Sequence, residues 1–126
     1  MRVANVLAGL GVRELETAHG WYVCLLDREP DASPMESLLE WRFPGGGWLQ
    51  IFVDAGRAGH GTVTLAVDDI GAMRARLAEK GHEIEWSFDG DVTSGTVIRD
   101  PDGNRVVFAQ SMDAEKNPSA ALAEAD

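Results

Sequence analysis

The chain carries a single cysteine, Cys24, which excludes an internal disulfide framework. Cys24 sits in an apolar helical pattern, so a buried structural thiol is expected there rather than a reactive one. Basic residues are scarce as well: 11 Lys and Arg stand against 21 Asp and Glu, a net charge of -10. Binding to a phosphate backbone depends on concentrated Lys and Arg, so nucleic acid is not an expected partner. An acidic surface would instead raise the local concentration of small cations, although acidity also serves solubility alone. No stretch approaches the ~20 apolar residues that cross a bilayer, and the first residues lack a basic region followed by an apolar run and a cleavage site. A soluble cytoplasmic protein with no membrane partner is the expectation.

What is present suffices for one compact domain: 126 residues, 44% of them hydrophobic. Val3 to Val12 is poor in charge and rich in Val, Leu and Gly, which suits a buried strand. Leu15, Ala18, Tyr22, Leu25 and Leu26 recur at helical spacing, and Glu14 and Glu16 suit the positive end of a helix over 14–26. "REPDASPM", with two prolines, can hold at most a short edge strand. "SLLEWRF" and "WLQIFVD", joined through "PGGG", predict a hairpin, and "AGRAGHG" reads as a glycine-rich linker.

The same order then repeats. "TVTLAV" predicts a strand; Asp68 and Asp69 start a helix whose face is Ile70, Met73 and Leu77 and whose end is Gly81. "HEIEWSF", "TSGTVIR" and "NRVVFAQ" predict three more strands, and the tail from Ser111 has little to bury and is expected to be flexible. His19 and His82 read as surface residues of a helix and of a strand start. A shift of 57 positions lays Arg99 on Arg42, Pro101 on Pro44 and Gly103 on Gly46, with Val106 on Leu49 and Phe108 on Ile51 as apolar matches. A shift of 55 lays Val67-Asp68-Asp69-Ile70 on Val12-Arg13-Glu14-Leu15. Two copies of a strand, helix, three-strand unit are the economical reading.

With "DPDGN" before the last strand, "WY" in the first helix and "LLDREP" at its end, residues 3 to 110 resemble the vicinal oxygen chelate superfamily, also called the glyoxalase, bleomycin resistance protein and dioxygenase superfamily. The resemblance implies an α+β fold of two tandem βαβββ modules forming an incomplete barrel around a concave pocket, in a homodimer. It implies a single domain over 1–110, with module one at about 3–55, a linker at 56–60 and module two at about 61–110. Pro101, Gly103 and Asn104 suit a tight reversal between strands, which is the role expected of "DPDGN". Metalloenzymes of the superfamily place one ligand on the first and last strand of each module. Here those positions are Leu7, Gln50, Thr62 and Val107, where Leu and Val offer no donor, Thr a weak one and Gln an uncharged one. Neither a metal nor another cofactor is therefore expected; a displaced set of His60, Gln50 and Glu40 is the remaining combination, and a linker histidine is the plainer account of His60.

Alternation separates the two faces of the first hairpin. A five-residue loop over 43–47 gathers Leu39, Trp41, Phe43, Leu49, Ile51 and Val53 on the core face and leaves Leu38, Glu40, Arg42, Trp48, Gln50 and Phe52 facing the concave side. A four-residue loop would mix the two sets. By the same logic Arg99, Arg105 and Val107 join the candidate ligand-binding residues. Trp48 and Phe52 could stack against a ring, Gln50 could hydrogen-bond, and Glu40 could hold a cationic group. The bland alternative leaves Glu40 and Arg42 solvated, or Glu40 paired with Arg99 or Arg105. The reading is a protein that binds or sequesters a small molecule, with a cationic aromatic one as the leading candidate. The alternative is an enzyme of the same fold: a metal-dependent lyase, isomerase or dioxygenase with displaced ligands, or a metal-free epimerase-like catalyst using Glu40 as base. No catalytic residue is assigned.

Overall fold

The computed structural model describes residues 1–111; the tail expected to be flexible lies, beyond Ser111, outside the described residues. The elements run β1 (Leu7–Val12), α1 (Leu15–Leu26), β2 (Ala32–Met35), β3 (Leu38–Arg42), β4 (Trp48–Val53), β5 (Thr62–Ala66), α2 (Ile70–Glu79), β6 (Trp86–Asp89), β7 (Thr93–Arg99) and β8 (Arg105–Ser111). They form two four-stranded open sheets, ordered β1-β4-β3-β2 and β5-β8-β7-β6. The second order is the first with every strand advanced by four, so the expected α+β pair of βαβββ modules is what the chain forms. Among the described residues, no helix is long and apolar enough to cross a membrane.

The chain divides into two compact units, residues 1–63 with 100–105, and residues 64–99 with those from 106 on. In the first, β1 pairs parallel with β4, from Leu7 opposite Trp48 to Val12 opposite Val53. β1 starts at Leu7 rather than Val3 because its partner runs out: the residues before Trp48 are the Pro-Gly-Gly-Gly turn, and Val3 and Val6 are left exposed. β3 and β4 pair with Leu38 opposite Phe52, Glu40 opposite Gln50 and Arg42 opposite Trp48, the register of the five-residue loop. One face of this sheet supplies the core, with Leu10, Val12, Leu39, Trp41, Leu49 and Ile51 all buried. Helix α1 lays Ala18, Tyr22 and Leu25 on the same core, with the Tyr22 and Trp41 rings 6.1 Å apart. Each such aromatic removes roughly 150–250 Å² from water, which makes this pair the largest apolar contribution of the unit. Cys24 falls outside the buried stripe and is exposed, a correction to the buried thiol expected from the apolar pattern.

In the second unit Asp69 caps α2 by accepting from the Ala72 amide at 3.0 Å, and the Gln110 amide oxygen accepts from the Ile70 amide at 2.7 Å. Gly81, at φ 79°, ends the helix in the left-handed region that glycine favours. The strand expected over "HEIEWSF" is shorter: β6 begins at Trp86, although the Glu85 amide already donates to the Val97 carbonyl.

The repeat holds in the turns at the level of single hydrogen bonds. Phe43 N donates to Gly47 O and Gly46 N to Phe43 O, each at 2.9 Å; 57 positions on, Asp100 N donates to Asn104 O and Gly103 N to Asp100 O, each again at 2.9 Å. Gly46 and Gly103 share a φ of 98° and 99°. The two turns differ in what their side chains do. The Asp100 carboxylate, buried, accepts from the Tyr22 hydroxyl at 2.8 Å, from the Asn104 amide at 2.9 Å, from the Asp102 amide at 3.0 Å and from Asn104 Nδ2 at 2.9 Å. Asn104, at 0% exposure, also donates from Nδ2 to the Gly11 carbonyl and accepts at Oδ1 from the Gly61 amide, both at 2.9 Å. "DPDGN" therefore does more than the chain reversal expected of it: it fastens the middle of α1 to the Asp100 carboxylate and, through Asn104, ties in β1 and the residues before β5.

The glycine-rich linker is drawn into the same network. Ala58 is buried, and a Cβ on Gly59 would lie 2.2 Å from the Asp102 carbonyl oxygen, at a φ of 84°. No residue other than glycine fits that position without moving the turn.

Two measurements follow from this network. Asn104→Ala removes three hydrogen bonds and leaves the Gly11 carbonyl and Gly61 amide without their partner. It should lower stability by about 3 kcal/mol, read as a lower urea midpoint at unchanged slope; a loss under about 1 kcal/mol would show the network to be dispensable. The chain's single tyrosine gives the second. Burial, and then the adjacent Asp100 carboxylate, push the Tyr22 phenol far above its ordinary value. The native state thus keeps the proton that the unfolded chain releases near pH 10, so this contribution is complete below about pH 10 and is lost as pH rises beyond it, by about 1.4 kcal/mol per pH unit. Alkaline difference spectroscopy should show phenolate appearing only together with unfolding, and a reversible native titration near pH 10 would contradict the buried placement.

Candidate functional site

On the face of the first sheet opposite the core, β3 presents Leu38, Glu40 and Arg42 and β4 presents Trp48, Gln50 and Phe52, the six residues expected together there. Glu40 is 3% exposed, a burial that an isolated carboxylate tolerates only when its charge is paired. Arg42, two residues along the same strand, supplies the pairing: Nε and Nη2 reach Glu40 Oε2 at 3.0 and 2.8 Å. Gln50, directly across the ladder, donates from Nε2 to Oε1 at 2.9 Å. The partner of Glu40 is thus Arg42, and neither Arg99 nor Arg105 is needed to neutralise it. The Arg42 guanidinium lies 4.3 Å from the centre of the Trp48 ring, a cation–π contact worth on the order of 0.5–2 kcal/mol.

Backbone contacts fix Arg42 from below. Its amide donates to Asp31 Oδ2 at 2.6 Å, its carbonyl accepts from Arg28 Nη2, and Arg28 is itself paired with Asp31 at 3.0 Å. Leu38, Trp48, Gln50 and Phe52 are half-buried, so the cluster is flanked by partly open apolar surface. Glycine makes room for it: a Cβ on Gly9, which pairs with Gln50 on β1, would lie 3.0 Å from Phe52 Cε1. The Phe52 ring therefore leans over a side-chain-free stretch of β1.

The remaining three expected residues lie on other strands. Arg99, at the end of β7, makes a two-pronged pair with Glu85, Nε to Oε2 at 2.5 Å and Nη2 to Oε1 at 3.0 Å. A cleft of about 450 Å³ opens beside this pair, lined by Glu83, Ile84, Glu85 and Arg99. Arg105 is exposed at the start of β8, and Val107 is half-buried between the core residues Val106 and Phe108.

The second sheet also holds a pair that the sequence pattern did not single out. Trp86 and Phe88 stack at 5.0 Å, and Trp86 is 60% exposed. Phe88 pairs with Gly95, where a Cβ would lie 2.5 Å from its ring, so the aromatic again rests on a glycine. The alternation Trp86, Phe88 and the glycine in "TSGTVIR" were the available signals; without a register between β6 and β7 nothing joined them.

The four strand positions that the resemblance assigns to metal ligands hold Leu7 at the start of β1, Gln50 on β4, Thr62 at the start of β5 and Val107 on β8. Two of these side chains have no donor atom, and the amide of Gln50 is bonded to Glu40. This donor set does not fit a divalent metal. Among the described residues, no group of three or more His, Cys, Asp or Glu side chains is placed to hold one, and Glu40 and Gln50 of the displaced set bond to each other.

Residues 8–108 match the family model of the Glyoxalase/Bleomycin resistance protein/Dioxygenase superfamily. Among solved structures, the chain is similar to a glyoxalase/bleomycin resistance protein from Catenulispora acidiphila, at 30% identity and a TM-score of 0.76 over 86% of this chain and 98% of that one. It has the fold of TnmS3, an antibiotic binding protein from Streptomyces sp. CB03234, at 24% identity and a TM-score of 0.76 over 88% and 98% of the two chains. It also has the fold of lactoylglutathione lyase from Agrobacterium tumefaciens, at 19% identity and a TM-score of 0.72 over 86% and 94%. No curated protein sequence matches it. With the family match spanning most of the chain, the protein belongs to the glyoxalase/bleomycin resistance protein/dioxygenase superfamily.

Proposed function

We propose that this chain binds and sequesters a small planar molecule, without a metal, on the face of its first sheet opposite the core. The observation that carries the reading is the combination on β3 and β4: half-buried Trp48 and Phe52 beside a Glu40–Arg42–Gln50 cluster whose internal hydrogen bonds are already made. Ligand sites are largely apolar surfaces with a few placed polar groups, and this face has that composition. The misfit of the four ligand positions to a divalent metal supports binding over metal chemistry. The antibiotic binding protein among the structural neighbours supplies a precedent on the same fold.

The site on this reading is Leu38, Glu40, Arg42, Trp48, Gln50 and Phe52. A single domain over 1–110, working as a cytoplasmic homodimer, completes the proposal. The enzyme alternative draws no support from the site, because both oxygens of Glu40, the one candidate base, are engaged within the sheet. Fold likeness does not decide the matter, since sequestration and several chemistries share this scaffold.

A thermal-shift screen against planar aromatic antibiotics, both charged and neutral, tests it. A ligand at a hundred times its Kd should stabilise the protein by about 2.7 kcal/mol. Trp48→Ala should abolish the shift while leaving the ligand-free melting temperature within a few degrees. Silence across the panel, or shifts untouched by Trp48→Ala, would remove the reading.

A further inference from the structure

The two carboxylates beside Arg42 are already occupied. Glu40 is held through both oxygens by Arg42 and Gln50, and Asp31 by Arg28 and the Arg42 amide. The charges of Arg28, Asp31, Glu40 and Arg42 cancel in pairs. A cationic ligand seeking Glu40 must displace Arg42 from a hydrogen bond and an ion-pair contact and from the face of Trp48. The position that the sequence offers to a cation is thus filled by the chain's own guanidinium.

The same geometry leaves a donor on offer. Arg42 uses Nε and Nη2 on Glu40, and Nη1 has no hydrogen-bond partner among the described residues. The side chain is 46% exposed, yet it is held at two points, the Glu40 pair and the Trp48 ring, on a backbone whose amide is bonded to Asp31 and whose carbonyl is bonded to Arg28. A donor held this way loses little conformational freedom when it binds, which favours recognition by direction over recognition by net charge. Apolar surface for a ring begins beside it at Trp48, across the ladder, and resumes in Leu38 and Phe52, which pair beyond Glu40 and Gln50 on the same face.

Building on the binding function proposed above, we infer that the ligand class is a planar, largely apolar molecule bearing an oxygen acceptor, carboxylate or carbonyl, in or near its ring plane. Arg42 is the residue that selects it, through Nη1, and a cationic substituent at that place counts against binding.

Three probes of one shape separate the outcomes: anthracene-2-carboxylate, 2-methylanthracene and 2-(aminomethyl)anthracene, titrated against the full chain by tryptophan fluorescence. The carboxylate should bind at least about tenfold tighter than the methyl compound, the scale of a charge-assisted hydrogen bond, and the ammonium should bind weakest. Arg42→Lys keeps the charge beside Glu40 but loses the fork. It should weaken the carboxylate about tenfold and change 2-methylanthracene less than about twofold. Should that variant not fold, the charge-neutral pair Glu40→Gln with Arg42→Gln takes its place with the same expectation. The inference is overturned if the ammonium ranks first, if the carboxylate binds no tighter than the methyl compound, or if its affinity ignores Arg42. Binding of none of the three would overturn the binding function itself, a result distinct from a wrong ranking.

Discussion

The Asp100 carboxylate is the constraint on which the first unit is built. A buried carboxylate is tolerated only when its charge is answered by donors, and four donors answer it here, from Tyr22, Asp102 and, twice, Asn104. Each donor belongs to a segment the fold must position. Tyr22 brings the middle of α1, and the two backbone amides close the turn before β8. Asn104 carries the network onward to Gly11 of β1 and to Gly61 just before β5. A fully satisfied network of this kind specifies one arrangement, because any slip leaves a buried group unpaired. It also accounts for Gly59: the linker must pass against the Asp102 carbonyl, where no side chain has room.

The duplicated turns show how one backbone can carry two roles. Phe43 and Gly47 make the hydrogen bonds that Asp100 and Asn104 make 57 residues later, with the same positive φ at the following and preceding glycines, Gly46 and Gly103. The backbone solution is shared; the side chains are not. In the second copy they form the polar hub. In the first copy the apolar ring of Phe43 meets the guanidinium of Arg28 at 5.3 Å, and Arg28 in turn steadies the Arg42 carbonyl. A turn released from structural bonding in its own side chains thus borders the candidate site.

Most of the fold was legible from residues alone, because period and turn chemistry speak locally. The alternation of Leu39, Trp41, Leu49 and Ile51 fixed the register of β3 against β4, since only one pairing buried all of them together. The matched glycines of the two turns gave the repeat. What stayed hidden depends on long-range contact. Nothing near Asp100 in the chain announces Tyr22, 78 residues away, so the turn motif looked like a turn and no more. Cys24 looked buried because its neighbours are apolar, whereas the stripe that meets the sheet is set by Ala18, Tyr22 and Leu25. Trp86 and Phe88 were visible as residues but not as a pair, because their place depends on Gly95 across the ladder.

The site illustrates the same limit with a functional consequence. Taken as composition, a Glu on an aromatic face of an acidic protein suggests a cation-binding surface. Taken as geometry, that Glu is an internal anchor: its charge orients Arg42, and Arg42 in turn covers one side of Trp48. A carboxylate at 3% exposure could not stand there without the guanidinium, and the guanidinium would not be held over the indole without the carboxylate. The pair acts as one neutral, directional group, so the chemistry this face offers is set by the arginine's remaining hydrogens rather than by the glutamate's charge.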